Sequence, residues 1–131
     1  MEILEEIPFH EFVVKVERRT DELNNEFLNY QLWEKGKEIG HLFGETYKGT
    51  FQIINFYPEG EHSKLRKTKI VEALREVAEA NLHKRGIKEI FIHTNATMEH
   101  HLGKRGYEKK PTNELRKPLP GKPVKSIFRR R

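Results

Sequence analysis

Four cations, Lys64, Arg66, Lys67 and Lys69, crowd six consecutive positions just after Pro58-Glu59-Gly60-Glu61-His62-Ser63. Ser63 is a residue type that caps helices, and Ile70, Val71, Leu74, Val77, Ala78 and Leu82 follow at three-to-four spacing. The cations therefore sit in the first turns of a helix, where they oppose the macrodipole by roughly 0.3 to 1 kcal/mol each. An anion bound among them, a phosphate above all, would make that placement favourable. A solvated helix start balanced by Glu59, Glu61, Glu72 and Glu76 accounts for the same residues without a ligand.

Acid and base candidates are fewer. Glu45 and Tyr47 lie near the middle of the predicted sheet, and His93 sits on a strand where it serves either as a base or as a hydrogen-bonded core histidine. His100 and His101 are adjacent, so on a helix they point about 100° apart and cannot chelate one ion from one face; no metal is expected. The absence of cysteine removes a disulfide framework, a thiolate zinc site, an iron–sulfur cluster and a thiol nucleophile together. No Gly-x-Ser-x-Gly, Walker or GxGxxG pattern occurs.

The elements that must position these residues read as follows. Glu11 to Glu17 alternates around Phe12, Val14 and Val16, and Leu28, Tyr30 and Leu32 alternate into the turn Glu34-Lys35-Gly36-Lys37. Glu38 to Tyr47 returns, Lys48-Gly49 turns again, and Thr50 to Tyr57 is the most apolar strand before Pro58. A helix of roughly 20 residues runs from the Ser63 cap to Gly86. Ile87 to Thr94 is a buried strand, Ala96 to Arg105 a short helix, and Tyr107 opens a last polar strand. The fold class is a mixed α/β (α+β layered) sheet, an antiparallel meander followed by strand, helix, strand, helix, strand, with a helix on each face.

The chain has 131 residues, enough for one domain, and a net charge of +5 that is unevenly spread. From Lys109 onward nine basic residues face one acid, a net +8, which leaves −3 on the preceding body. Pro111, Pro118, Pro120 and Pro123 with Gly121 mark this part as extended, so residues 1–110 read as the domain and 111–131 as a basic tail. Within it Lys122, Lys125, Ile127, Phe128, Arg129, Arg130 and Arg131 form a small apolar anchor flanked by charge, suited to a protein assembly, a neighbouring copy, the chain's own body or nucleic acid. No apolar run approaches the roughly 20 residues that span a bilayer, and the acidic start is wrong for a signal peptide. The expectation is a protein without a membrane partner, intracellular and cytoplasmic.

The element order and the segment from Ile90 to Tyr107, with Asn95, Gly106 and Tyr107 at the family's offsets, resemble the GNAT family of N-acetyltransferases. Glu34-Lys35-Gly36-Lys37-Glu38-Ile39-Gly40 is similar to that family's turn between its second and third strands. The resemblance implies acetyl-CoA as cofactor, met by Tyr57, His62, Ser63, Lys64, Arg66, Lys67 and Asn95. Three features depart from the family. The loop before the helix lacks paired glycines, the position of the usual general-acid tyrosine is Leu102, and only about ten residues separate Arg18 from Leu28, where the family places two helices. The altered pattern also resembles the GNAT-like proteins of tailed bacteriophages, including virion components. Three functions follow as expectations: a non-catalytic GNAT-fold structural or binding component, a divergent acetyl-CoA-dependent N-acetyltransferase that works by positioning, or nucleic-acid binding through the tail.

Overall fold

Tight turns build the meander. Lys35 and Gly36 both have positive φ (51° and 77°), as do Lys48 and Gly49 (48° and 81°), which is the backbone of two-residue hairpins whose twist matches the strands they join. Two further turns precede them, one around His10 (φ 57°) and one over residues 21–25, where the Asp21 carboxylate accepts from the amides of Leu23 and Asn25 at 2.9 Å each. In the computed structural model, residues 2–93, 102, 104–109 and 114–119 are described. They form β1 (Glu2–Phe9), β2 (Phe12–Thr20), β3 (Glu26–Glu34), β4 (Lys37–Tyr47), β5 (Thr50–Pro58), α1 (Lys64–Lys84), β6 (Glu89–His93), β7 (Glu108–Lys109) and β8 (Glu114–Pro118).

The eight strands make one sheet in the order β1-β2-β3-β4-β5-β6-β8-β7, antiparallel throughout except for the parallel pair β5 and β6 joined through α1. Ser63 caps α1 by accepting from the Arg66 amide at 3.2 Å. At the other end the Ile87 amide reaches Leu82 O (2.9 Å) and the Gly86 amide reaches His83 O (3.0 Å), with Gly86 at φ 89°. That pair of bonds closes the helix carbonyls and needs a residue that tolerates positive φ.

One side of α1 covers one face of the sheet. Ile70, Leu74, Val77 and Ala78 pack into a core with Val14, Val16, Tyr30, Leu32, Leu42, Phe51 and Ile53, all buried. Gly40 and Gly44 on β4 permit that approach. A Cβ on Gly40 would lie 2.8 Å from Ile70 Cγ2, and one on Gly44 would lie 2.3 Å from Gln52 O and 2.6 Å from the Phe51 ring. These glycines are there for want of space, not to loosen the strand.

Three expectations change. Residues 2–9, which carry no clean alternation, form a full strand. Residues 114–118, expected in the extended tail, are β8, seated between β6 and β7 with Leu115 buried, so the folded body runs to at least Leu119 and not only to 110. The predicted helix over residues 96–105 lies mostly outside the described residues, but its end does not support a helix on each face. Leu102 is in the core cluster, Arg105 pairs with Glu72 of α1 at 2.6 Å, and Tyr107 donates to Glu79 of α1 at 3.1 Å. Among the described residues the second face of the sheet carries no helix. No helix among them is long and apolar enough to cross a membrane.

Candidate functional site

The parallel pairing of β5 with β6 runs from Thr50↔Glu89 to Ile53↔Ile92 and stops, while β5 continues through residues 54–58. A bulge between Phe43 and Gly44 against β4 marks the same level of the sheet. Beyond Ile53 no described residue pairs with the β6 side of β5, and that edge leads straight into residues 59–63 and the start of α1. Ile54 and Tyr57 on that edge are about half exposed (49% and 47%), and Leu65 in the first turn of α1 is 85% exposed. An extended, partly apolar ligand with an anionic end fits this run: amides and carbonyls along β5, then a helix N-terminus with no acid in its first turn.

The cations there divide into two pairs. Arg66 is turned onto the sheet, where it donates to Glu34 and to Glu11 (3.4 Å) and lies over the Phe12 ring, 5.2 Å from its centroid. The Glu34 carboxylate raises its pKa above the ordinary arginine value. Lys69 donates to Glu11 at 2.5 Å, and this bond, with lesser help from Arg66, holds the Glu11 carboxyl down to about 2. Arg66 and Lys69 therefore latch α1 to β3 and to the β1–β2 turn. Lys64 and Lys67 are exposed and make no ion pair among the described residues. His62 is held by a 2.7 Å contact between Nε2 and Glu59 O, close beneath the Ser63 cap.

On the second face, beside the end of β5, three groups converge that spacing did not suggest. His41 Nδ1 lies 3.9 Å from Glu38 Oε2 and 3.7 Å from Glu59 Oε2, and the Tyr57 ring stands edge-on to the imidazole at 4.4 Å. The donor atoms of Glu38, His41 and Glu59 lie within 4.8 Å of one another, a set a cation could bridge. Burial, then a hydrogen bond and repulsion from Glu59 and the charge of Glu17, push the Glu38 carboxyl up to about 7. The signal available in advance was weak, because β3–β4 pairing shifts register between Leu32 and Trp33 and brings Glu38 to the face that Gly40 does not share.

The remaining candidates are placed as follows. Glu45 pairs in register with Gln52, below the level where β5 and β6 part, and Tyr47 is 60% exposed at the opposite end of the sheet from the start of α1. Neither stands at the free edge. His93 ends β6, with its side chain outside the described residues. Asn95 and the tail residues Lys122, Lys125, Ile127, Phe128, Arg129, Arg130 and Arg131 also lie outside them. Leu102, at the position of the family's general-acid tyrosine, is fully buried and has no proton to give.

Solved structures match this fold. PaiA N-acetyltransferase from Thermoplasma acidophilum, in complex with coenzyme A, matches with a TM-score of 0.62 at 19% identity over 70% of this chain and 60% of that one. The ribosomal-protein-S18-alanine N-acetyltransferase from Escherichia coli gives 0.61 at 18% identity over 71% of this chain and 69% of that one. Aminoglycoside 6'-acetyltransferase type Ii gives 0.59 at 14% identity over 74% of this chain and 72% of that one. The chain thus spans about 60% of the length of the first of these. At such identities the likeness is one of fold, and the fold is that of GNAT acetyltransferases. No protein-family model and no curated protein sequence matches the chain.

Proposed function

We propose that this chain, built on the GNAT acetyltransferase fold, binds an acyl-coenzyme A thioester along the free edge of β5 and transfers the acyl group to an amine. The parting of β5 from β6 after Ile53 carries this reading, because among the described residues it leaves the backbone edge of β5 without a partner where it runs into a helix N-terminus. The pantetheine amides would pair with the backbone of residues 54–57, beside the apolar side chains of Ile54 and Tyr57. The phosphates would take the amides of Lys64 and Leu65, which as first-turn donors have no partner within the helix, and the ammonium groups of Lys64 and Lys67. Acyl-CoA supplies an activated carbonyl: the amine nitrogen bonds to it, the carbon–sulfur bond breaks, and the thiolate leaves with a proton from the amine or from water. With leucine at position 102, positioning of amine against thioester supplies the acceleration, and proton transfer to sulfur does not.

Calorimetry with acetyl-CoA tests binding, and thiol release in the presence of amines tests transfer. Micromolar binding is expected, weakened about three- to thirty-fold in Lys64→Ala/Lys67→Ala by the loss of two charges at a helix N-terminus. Absence of binding overturns the proposal. Binding without thiol release from any amine leaves the second reading, a GNAT-fold binding component without catalysis, which the buried Leu102 and the engaged Arg66 favour.

A further inference from the structure

The second face of the sheet is built to be covered. Phe27 and Phe43 stack there with ring centroids 5.6 Å apart, and Lys15 lies over the Trp33 ring at 4.1 Å. Glu17 accepts from Gln31 at 2.7 Å and from Asn29 at 3.3 Å. Among the described residues no donor reaches the buried Asn29 Oδ1. On β2, β4 and the end of β5 carboxylates dominate its charge, with Glu17, Glu38, Glu45 and Glu59 against Lys15 and Arg19, while toward β8 Arg116 lies over Phe91 and is paired with Glu89. Among the described residues no Lys or Arg pairs with Glu38 or Glu59. The loop over residues 21–25 is too short to hold a covering helix, and the segment around Leu102 and Arg105 goes to the α1 side.

We propose that residues 120–131 of the same chain lie across this face, with Arg129, Arg130 and Arg131 on the Glu38, His41 and Glu59 cluster and with Val124, Ile127 and Phe128 over Phe43, Ile54 and Tyr57. The charges are complementary, since residues 120–131 hold five cations (Lys122, Lys125, Arg129, Arg130, Arg131) and no acid. The starting point and the reach also agree. The Leu119 amide is bonded to Lys88 O, and the Lys88 amide to Gly49 O, so the segment departs from the Thr50 end of β5. Glu59 and Glu38 lie at the other end, about eight residues up β5 and two to three strands across from β8. At roughly 3.3 Å per residue and 4.8 Å per strand the diagonal is about 28 to 30 Å, or about nine extended residues. Counted from Leu119, nine residues end at Phe128, and the three arginines follow onto the carboxylates. This inference is argued from the sheet face and not from acyl-CoA binding; because the segment and a ligand on the β5 edge would share Ile54 and Tyr57, the test is run without acyl-CoA and reads the segment alone.

Trp33 is the sole tryptophan of the chain and stands opposite Glu38, so its fluorescence reports on the face where the arginines would arrive. Acrylamide quenching of the full chain is compared with that of a chain ending at Leu119. The quenching constant is expected to rise about twofold on truncation, and equally in the full chain at about 1 M salt, where the Debye length falls to about 3 Å. Arg129→Ala/Arg130→Ala/Arg131→Ala and Glu38→Gln/Glu59→Gln in the full chain should each reproduce the rise. Equal quenching in full and truncated chains overturns the proposal, as does protection that survives both the salt and the Glu38→Gln/Glu59→Gln change. Protection that fades on dilution shows the segment of a second copy on the face, and overturns the intramolecular arrangement. Circular dichroism on each variant separates unfolding from uncovering.

Discussion

The two faces of the sheet handle buried polar groups in opposite ways. On the α1 side each is answered by a partner of opposite kind. Asn81, fully buried, accepts from Tyr30 (2.7 Å) and Arg85 (2.8 Å) and donates to Glu5 (2.7 Å). Burial, the chief cause, lifts the Tyr30 hydroxyl above its ordinary range and keeps it a donor. Glu79, also buried, takes Lys117 at 2.7 Å, Arg75 at 3.1 Å and the Tyr107 hydroxyl at 3.1 Å. On the second face Glu38 and Glu59 face each other and one imidazole, and a carboxyl is driven up to about 7. A face whose carboxylates are all neutralised internally needs nothing from outside. One that stores repulsion is matched to a cationic partner.

The sharpest way to break this comparison is to overfill the closed side. Gly44→Ala would put a methyl 2.3 Å from Gln52 O and should cost about 3 kcal/mol in urea unfolding, because backbone cannot move aside. Glu79→Gln comes next. It leaves Lys117 and Arg75 short of a buried counter-charge and should cost about 2 to 3 kcal/mol at pH 7 by the same measurement.

Glu72→Gln tests the electrostatics through pH. Burial raises the Glu72 carboxyl, but hydrogen bonds from Arg75 and Arg105 outweigh it and hold it down to about 2. A depressed carboxylate stabilises the fold above its unfolded value of about 4.5, and the contribution is lost as pH falls toward 2. The variant should be about 1 to 2 kcal/mol less stable at pH 7, the Coulomb part being discounted for solvent exposure, and equal to the parent near pH 2 in thermal melts. The smallest effect belongs to the second face, where Phe43→Ala should cost about 1 kcal/mol, since its ring is stacked but only partly buried. A cost above that of Gly44→Ala would mean that the face is as closed as the other.

The periodic elements were legible in the amino-acid order. Phe12, Val14 and Val16, then Leu28, Tyr30 and Leu32, alternate because one side of each strand meets α1, and the Lys-Gly pairs place both hairpins. β1 and β8 were not legible, because their inward positions include charge. Glu5 points at Asn81 and Arg85, and in β8 only Leu115 is buried while Lys117 turns in to Glu79. The site was legible in part. The Ser63 cap and exposed Lys64 and Lys67 are local features, readable from spacing. The partners of Arg66, Glu11 and Glu34, lie 55 and 32 residues away, and no local pattern announces them. The Glu38, His41 and Glu59 cluster depends on a register shift and a strand exit, which only the folded sheet supplies.

β1 is a rim of the eight-stranded sheet, with one backbone edge unpaired by any described strand. Such rims recruit strands from other molecules unless something obstructs them. Here three obstructions coincide: a register break between Ile3 and Glu5, Pro8 without an amide to offer, and Glu5 directed inward to Asn81 and Arg85. Glu2 and Glu6 add like charge, so two β1 rims meeting edge to edge would repel. The acidic stretch thus acts as a stop on sheet growth, so that β1 is a strand that takes no further neighbour.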